Sequence, residues 1–133
     1  MLRLLPPLCW TVLIAYFGGG QWDGAHTAAW LDPLLRALLP SASPEGLAAA
    51  HLVIRKAGHV IEYAVLAGLW RRGLGGAWAP LGLAVLTACL DELRQSFTLG
   101  RVGSMVDVLL DGAAAATALG LIALRARLRG AAS

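Results

Sequence analysis

The sequence predicts an all-α fold, a bundle of four transmembrane helices with a short interfacial or re-entrant helix between spans one and two. Three observations carry that expectation. The 133 residues are 58% hydrophobic and 14% charged, with a mean hydropathy of +0.67, too apolar for an ordinary water-soluble chain of one-domain length. Residues 4–22 and 73–90 hold no charged side chain, and a run near that length crosses a hydrocarbon layer of about 30 Å. Arginines recur where such runs end, as the positive-inside rule requires of cytoplasmic loops.

The first span is predicted over residues 4–22. Pro6 and Pro7 suit a helix start, where amide donors lack partners in any case, and Gly18, Gly19 and Gly20 end it. A cleaved signal peptide is the competing reading; no small-x-small site follows closely, so a retained helix is expected. Residues 23–43 mix Asp, His, Trp, Pro and Leu. Within them 28–39 is apolar enough for a short helix, interrupted by Asp32-Pro33 and Arg36, lying on the surface or re-entering. His26 stands among Gly, Ala and Thr and reads as a loop residue.

A helix is predicted from about Glu45 to the Arg71-Arg72 pair, with its membrane part over 51–71. The third span covers about 74–97 and ends in the polar run Asp91, Glu92, Arg94, Gln95. The fourth covers about 104–124, with Asp107 and Asp111 in its first half, then a run of small residues that permits close helix approach. The whole of 1–133 is one domain. Cys9 and Cys89 lie in apolar segments and read as small hydrophobes. The tryptophans Trp10, Trp22, Trp30, Trp70 and Trp78 read as interface anchors, and the terminal arginines as an anchor on anionic lipid. No basic run is interleaved with exposed aromatics, so no nucleic-acid partner is expected.

With four spans, Arg3, Arg71, Arg72, Arg125, Arg127 and Arg129 share one side, which should be the cytoplasm with both termini in it. The first half of span two, the end of span three and the start of span four then lie together toward the outer leaflet. Lys56, His59, Glu62 and Tyr63 occupy an arc of roughly 120° on span two. Glu92 and Gln95 are one turn apart on span three; Ser104, Asp107 and Asp111 share a face on span four. Ionisable side chains on membrane helices normally face other helices or a wet cavity, so these faces should converge in one outward-facing polar pocket.

At these residues the chain resembles the VanZ-like family of small bacterial membrane proteins. The resemblance rests on Lys56, His59 and Tyr63 in one block, and on Asp91, Glu92, Gln95, Phe97, Gly100, Arg101 and Asp107 in another, and covers about 55–120. Asp111 and Ala114 depart from the pattern, which has Asn and Gly there. The resemblance implies an integral protein of the bacterial inner membrane, linked through the member that names the family to low-level teicoplanin resistance; it brings no settled reaction.

Three readings of the polar residues remain open. In the functional one, His59 is the acid/base group, Glu62 its orienter and Glu92 a second carboxylate. Lys56, Tyr63, Gln95, Arg101, Asp107 and Asp111 then hold a membrane lipid or lipid-linked envelope molecule, which the protein binds or modifies. Arg101 is placed to pair with Glu92 or Asp107, while Asp107 and Asp111 repel and hint at a cation or proton site. No dedicated metal site is expected, since one histidine with carboxylates suits zinc poorly, and the sequence leaves any cofactor unknown. In the structural reading the same groups only fix helix packing and assembly. A small transporter or proton relay is the third alternative.

Overall fold

The computed structural model describes residues 2–19, 24–97 and 103–131, and every regular element among them is helical. A 3₁₀ turn, Leu2–Leu4, leads into α1 (Leu5–Phe17). There follow α2 (Gly24–Leu38), α3 (Pro44–Leu74), α4 (Trp78–Ser96) and α5 (Met105–Gly130).

The helix limits follow from local chemistry. Pro6 and Pro7 stand in the first turn of α1, and the helix closes as the Gly18 and Gly19 amides bond the Ile14 and Tyr16 carbonyls. It therefore ends at Phe17, five residues short of the expected span limit, and its 13 residues measure about 20 Å. Trp22 and Arg101 lie outside the described residues. Helix α2 runs straight through Asp32-Pro33, which the sequence reading took as an interruption. A proline removes one amide donor, a local cost that α2 absorbs while burying Leu35 and holding His51 of α3 through Asp32.

Helix α3 opens on Ser43, whose hydroxyl accepts the Gly46 amide at 3.2 Å, with Pro44 next. Glu45 sits in the first turn, where its own backbone amide and Ser43 hold its carboxyl below the usual range. At the other end Gly75 (φ +74°) returns its amide to the Arg71 carbonyl at 2.8 Å, and Gly76 follows at φ +61°. Two successive positive φ angles are open to glycine at no steric cost, and they reverse the chain into α4. Ser104 caps α5, which runs six residues beyond the expected 124 and carries Arg125, Arg127 and Arg129 in its last turns.

The contacts set the topology. Lys56 meets Asp107, His59 meets Asp111 and Gly68 meets Ile122, so α3 and α5 run parallel. Ser104 meets Glu92 and Gly112 meets Val85, so α4 runs against α5. Helix α1 also opposes α3: the Leu2–Leu4 turn packs on Gly73, and the Trp10 indole donates to the Glu62 carbonyl at 2.9 Å. The ends of α1 and α4 meet where Gly18 touches Asp91 and Arg94. This up-and-down order gathers Arg3, Arg71, Arg72, Arg127 and Arg129 at one end and Lys56, His59, Asp91, Glu92, Asp107 and Asp111 toward the other.

The core is built from Ile14, Tyr63, Leu66, Ala67, Ala84, Ala88, Val108, Ala115 and Leu119. Trp10 and Trp70 pack against it, so these two tryptophans serve packing, whereas Trp30 and Trp78 are exposed. Small side chains bring the backbones together, and Asp91, Glu92, Gln95, Asp107 and Asp111 are all buried while Leu52, Val53, Ile61, Leu86, Leu109 and Leu121 are exposed. That distribution inverts the one water imposes. Among the described helices, α5 is the one long and apolar enough by composition to cross a membrane, and Leu2–Phe17 is a shorter apolar helix. Every 18-residue stretch of α3 and of α4 contains at least three charged residues, and several of these are the ones the fold turns inward.

Candidate functional site

The polar residues occupy one end of the seam between α3, α4 and α5. Along α4 the buried positions Ala84, Ala88, Asp91, Glu92 and Gln95 share a face, and along α5 so do Asp107, Val108, Asp111, Ala115 and Leu119. The same stripe that is apolar at one end becomes acidic at the other.

Within that end, the groups form short-range pairs. Lys56 of α3 makes an ion pair with Asp107 of α5. His59 Nδ1 lies 3.3 Å from Asp111 Oδ2, and its ring faces that of Tyr63 with centroids 6.4 Å apart. Glu92 Oε2 accepts the Ser104 amide at 2.6 Å, tying α4 to the start of α5. Asp91 is held on both oxygens, by Arg94 Nη2 at 2.6 Å and Gln95 Nε2 at 2.8 Å. The Tyr63 hydroxyl, Asp111 Oδ1 and Glu92 Oε1 are buried and have no hydrogen-bond partner among the described residues.

Two expectations change. The carboxylate beside the His59 imidazole is Asp111 rather than Glu62, because one turn of α3 sets Glu62 about 60° round the helix, away from α5. Asp107 and Asp111 do not confront one another alone; each faces its own basic partner on α3. The expected Arg101 pairing lies outside the described residues. His59, Tyr63, Glu92, Gln95, Asp107, Asp111 and Lys56 thus share one end of the bundle, but as separate pairs.

Beside these pairs, on the other flank of α3, lies an open pocket of about 490 Å³. Its apolar wall includes Ile14, Phe17, Leu31, Leu52 and Ile54; its polar groups are His51, Arg55, His59, Glu62 and Asp91. A smaller cavity of about 230 Å³ adjoins it, sharing Ile14, Phe17, Gly58 and Glu62. His51 Nε2 lies 2.5 Å from Asp32 Oδ1, which joins α2 to α3 across the pocket. Arg55 and Glu62 form no ion pair or side-chain hydrogen bond among the described residues. Among those residues, no three His, Cys, Asp or Glu side chains are grouped to hold a metal ion.

Sequence reasoning missed His51, Arg55 and Asp32. A signal was present: His51, Arg55, Gly58 and Glu62 fall within about 60° on the helical wheel, a second polar stripe beside that of Lys56, His59 and Tyr63. Asp32 carried no such signal, since only the packing of α2 on α3 brings it near.

The family model described as VanZ/LLP1 matches residues 4–126. No curated protein and no solved structure matches the chain.

Proposed function

Because the chain belongs to the VanZ/LLP1 family, whose match spans residues 4–126, we propose that it is an integral membrane protein of the bacterial cell envelope. Its pocket between α1, α2 and α3 binds an amphiphilic, lipid-linked molecule. Helices α1, α3, α4 and α5 are the four spans, α2 lies at the interface, and both termini are cytoplasmic. The inverted burial supports the membrane: apolar side chains face outward on every helix while carboxylates and small residues fill the interior. The arginines gathered at one end support the orientation.

The observation that carries the reading is the composition of the 490 Å³ pocket. It joins an apolar wall to a row of ionisable groups along α3, the two surfaces an amphiphile presents. Within this reading His59, steadied by Asp111, is the acid/base candidate at the pocket's edge, and Glu62 faces the ligand. The pairs Lys56–Asp107 and Glu92–Ser104 tie α3 and α4 to α5, and the Asp91–Arg94–Gln95 set is satisfied within α4, a division favoured by their having partners within the bundle.

The test is occlusion. Gly58 lines both cavities, and a Cβ there meets nothing within 4 Å, so a side chain can start from this position and Gly58→Leu should fill the pocket. In lipid nanodiscs this variant should lose the lipids that native mass spectrometry finds retained by the parent. In cells it should abolish any shift in teicoplanin susceptibility that the parent confers, as should His59→Ala. Unchanged lipid retention by Gly58→Leu overturns the assignment of the pocket.

A further inference from the structure

We infer that the pocket selects lipids whose headgroup carries both a phosphodiester and a primary ammonium, with Arg55 taking the phosphate and Glu62 the ammonium. This rests on the pocket being the ligand site, and adds which headgroup it takes.

The argument is one of charge left over after internal pairing. His51 is matched by Asp32 at 2.5 Å, Asp91 by Arg94 at 2.6 Å, and His59 by Asp111 at 3.3 Å. What remains on the pocket wall is one guanidinium and one carboxylate, Arg55 and Glu62, neither in an ion pair among the described residues. They stand seven residues apart on the same face of α3, about 10 Å along the axis, and both side chains are long enough to lean toward a ligand lying between them. A purely anionic headgroup would satisfy Arg55 but leave Glu62 facing negative charge where water is scarce. A dipolar headgroup satisfies both.

Chemistry narrows the choice further. A guanidinium matches two phosphate oxygens at once. A carboxylate pairs best with a cation that can donate hydrogen bonds, which a primary ammonium does and a quaternary one does not. Ile14, Phe17, Leu31 and Leu52 provide the adjoining apolar surface for an acyl chain. Phosphatidylethanolamine has these features; phosphatidylglycerol lacks the ammonium and phosphatidylcholine lacks the N–H donors.

The experiment places the full chain in nanodiscs of equimolar phosphatidylethanolamine, phosphatidylglycerol and phosphatidylcholine and reads the retained lipid by native mass spectrometry. The parent should hold the ethanolamine lipid on the order of tenfold over each of the others, the scale of one charge-assisted hydrogen bond. Glu62→Gln should erase the preference over the glycerol lipid, and Arg55→Gln should weaken retention of all three phospholipids. Equal retention of the three lipids by the parent, or an undiminished preference in Glu62→Gln, overturns the inference. If the retained lipid is unselective yet is lost in Gly58→Leu, the pocket stands and only its selectivity fails. If Gly58→Leu changes nothing, the pocket reading itself falls. Soluble glycerophosphoethanolamine should not displace the lipid, and full displacement at matched concentration would reassign the site to a free phosphodiester.

Discussion

Breaking the ion pair between Lys56 and Asp107 gives a sharp test of which polar residues hold the bundle and which meet the ligand. Asp107→Asn keeps side-chain shape and leaves the backbone cap intact, since it is the Asp107 amide, not its side chain, that bonds Ser104. Lys56→Met keeps the apolar stem. Removing one member of a fully buried pair costs about 3–5 kcal/mol, whereas an exposed pair contributes about 0–1 kcal/mol. Asp107's side chain is 10% exposed and that of Lys56 is 31%, so the surviving ammonium can partly rehydrate and the effect falls between these limits. Each single substitution should therefore cost about 2 kcal/mol, with a smaller added loss for Asp107→Asn because its charge also faces the α5 N-terminus. For a chain of this length that is a fall in Tm of roughly 8 °C. The double variant should lose clearly less than the two singles together, with a coupling of about 1–2 kcal/mol in a double-mutant cycle followed by circular dichroism in detergent. Lipid retention by the folded single variants should equal that of the parent. An additive double variant would show that the pair does not join α3 to α5, and lost retention in folded Asp107→Asn would move Asp107 back among the ligand-binding groups.

Other outcomes follow from the same geometry. Gly58→Leu should add up to about 1 kcal/mol of stability through helix propensity, raising Tm, while losing bound lipid, a combination that simple misfolding cannot give. Gly103→Ala should lower stability by about 1–3 kcal/mol in thermal unfolding, because its Cβ would land 2.5 Å from the Glu92 carbonyl oxygen and 3.2 Å from the Ser96 Cβ, and neither is the end of a flexible side chain. Ser43→Ala should cost about 1 kcal/mol and speed amide exchange in the first turn of α3. Glu45 has its pKa lowered in the folded chain, so its contribution is present above the unfolded value and is lost as pH falls through the folded one. Acidification below about pH 4 should fray the same turn in the parent, and Glu45→Gln should remove that pH dependence from amide exchange corrected for intrinsic rates.

The helical order was legible in the residues because its signals are local. Proline at the start of α1, Ser43-Pro44-Glu45 before α3 and the glycine pair after it act within one turn, and they mark limits close to those found. The end of α1 was set too late because an uncharged run does not reveal where within it the chain leaves the helix. The polar end of the bundle was also legible, since antiparallel succession of the helices obliges Lys56, Glu92 and Asp107 to come to the same end. Which group pairs with which was not. His59 was matched to Glu62 because those two are neighbours in sequence, whereas α3 turns His59 toward Asp111, 52 residues away.

The sequence alone thus determined composition, the order and most of the starts of the helices, and the sorting of acids to one end and arginines to the other, all consequences of hydropathy and capping within a few residues. Tertiary structure decided the rest. The parallel register of α3 and α5 sets Lys56 against Asp107 and His59 against Asp111, and the docking of α2 gives His51 to Asp32. With the Asp91–Arg94 pair, they match His51, His59 and Asp91 on the pocket wall and leave Arg55 and Glu62 there. A side chain's charge is written in the chain, but whether that charge is already spent depends on distances of 3 to 4 Å between helices, and only their packing fixes those.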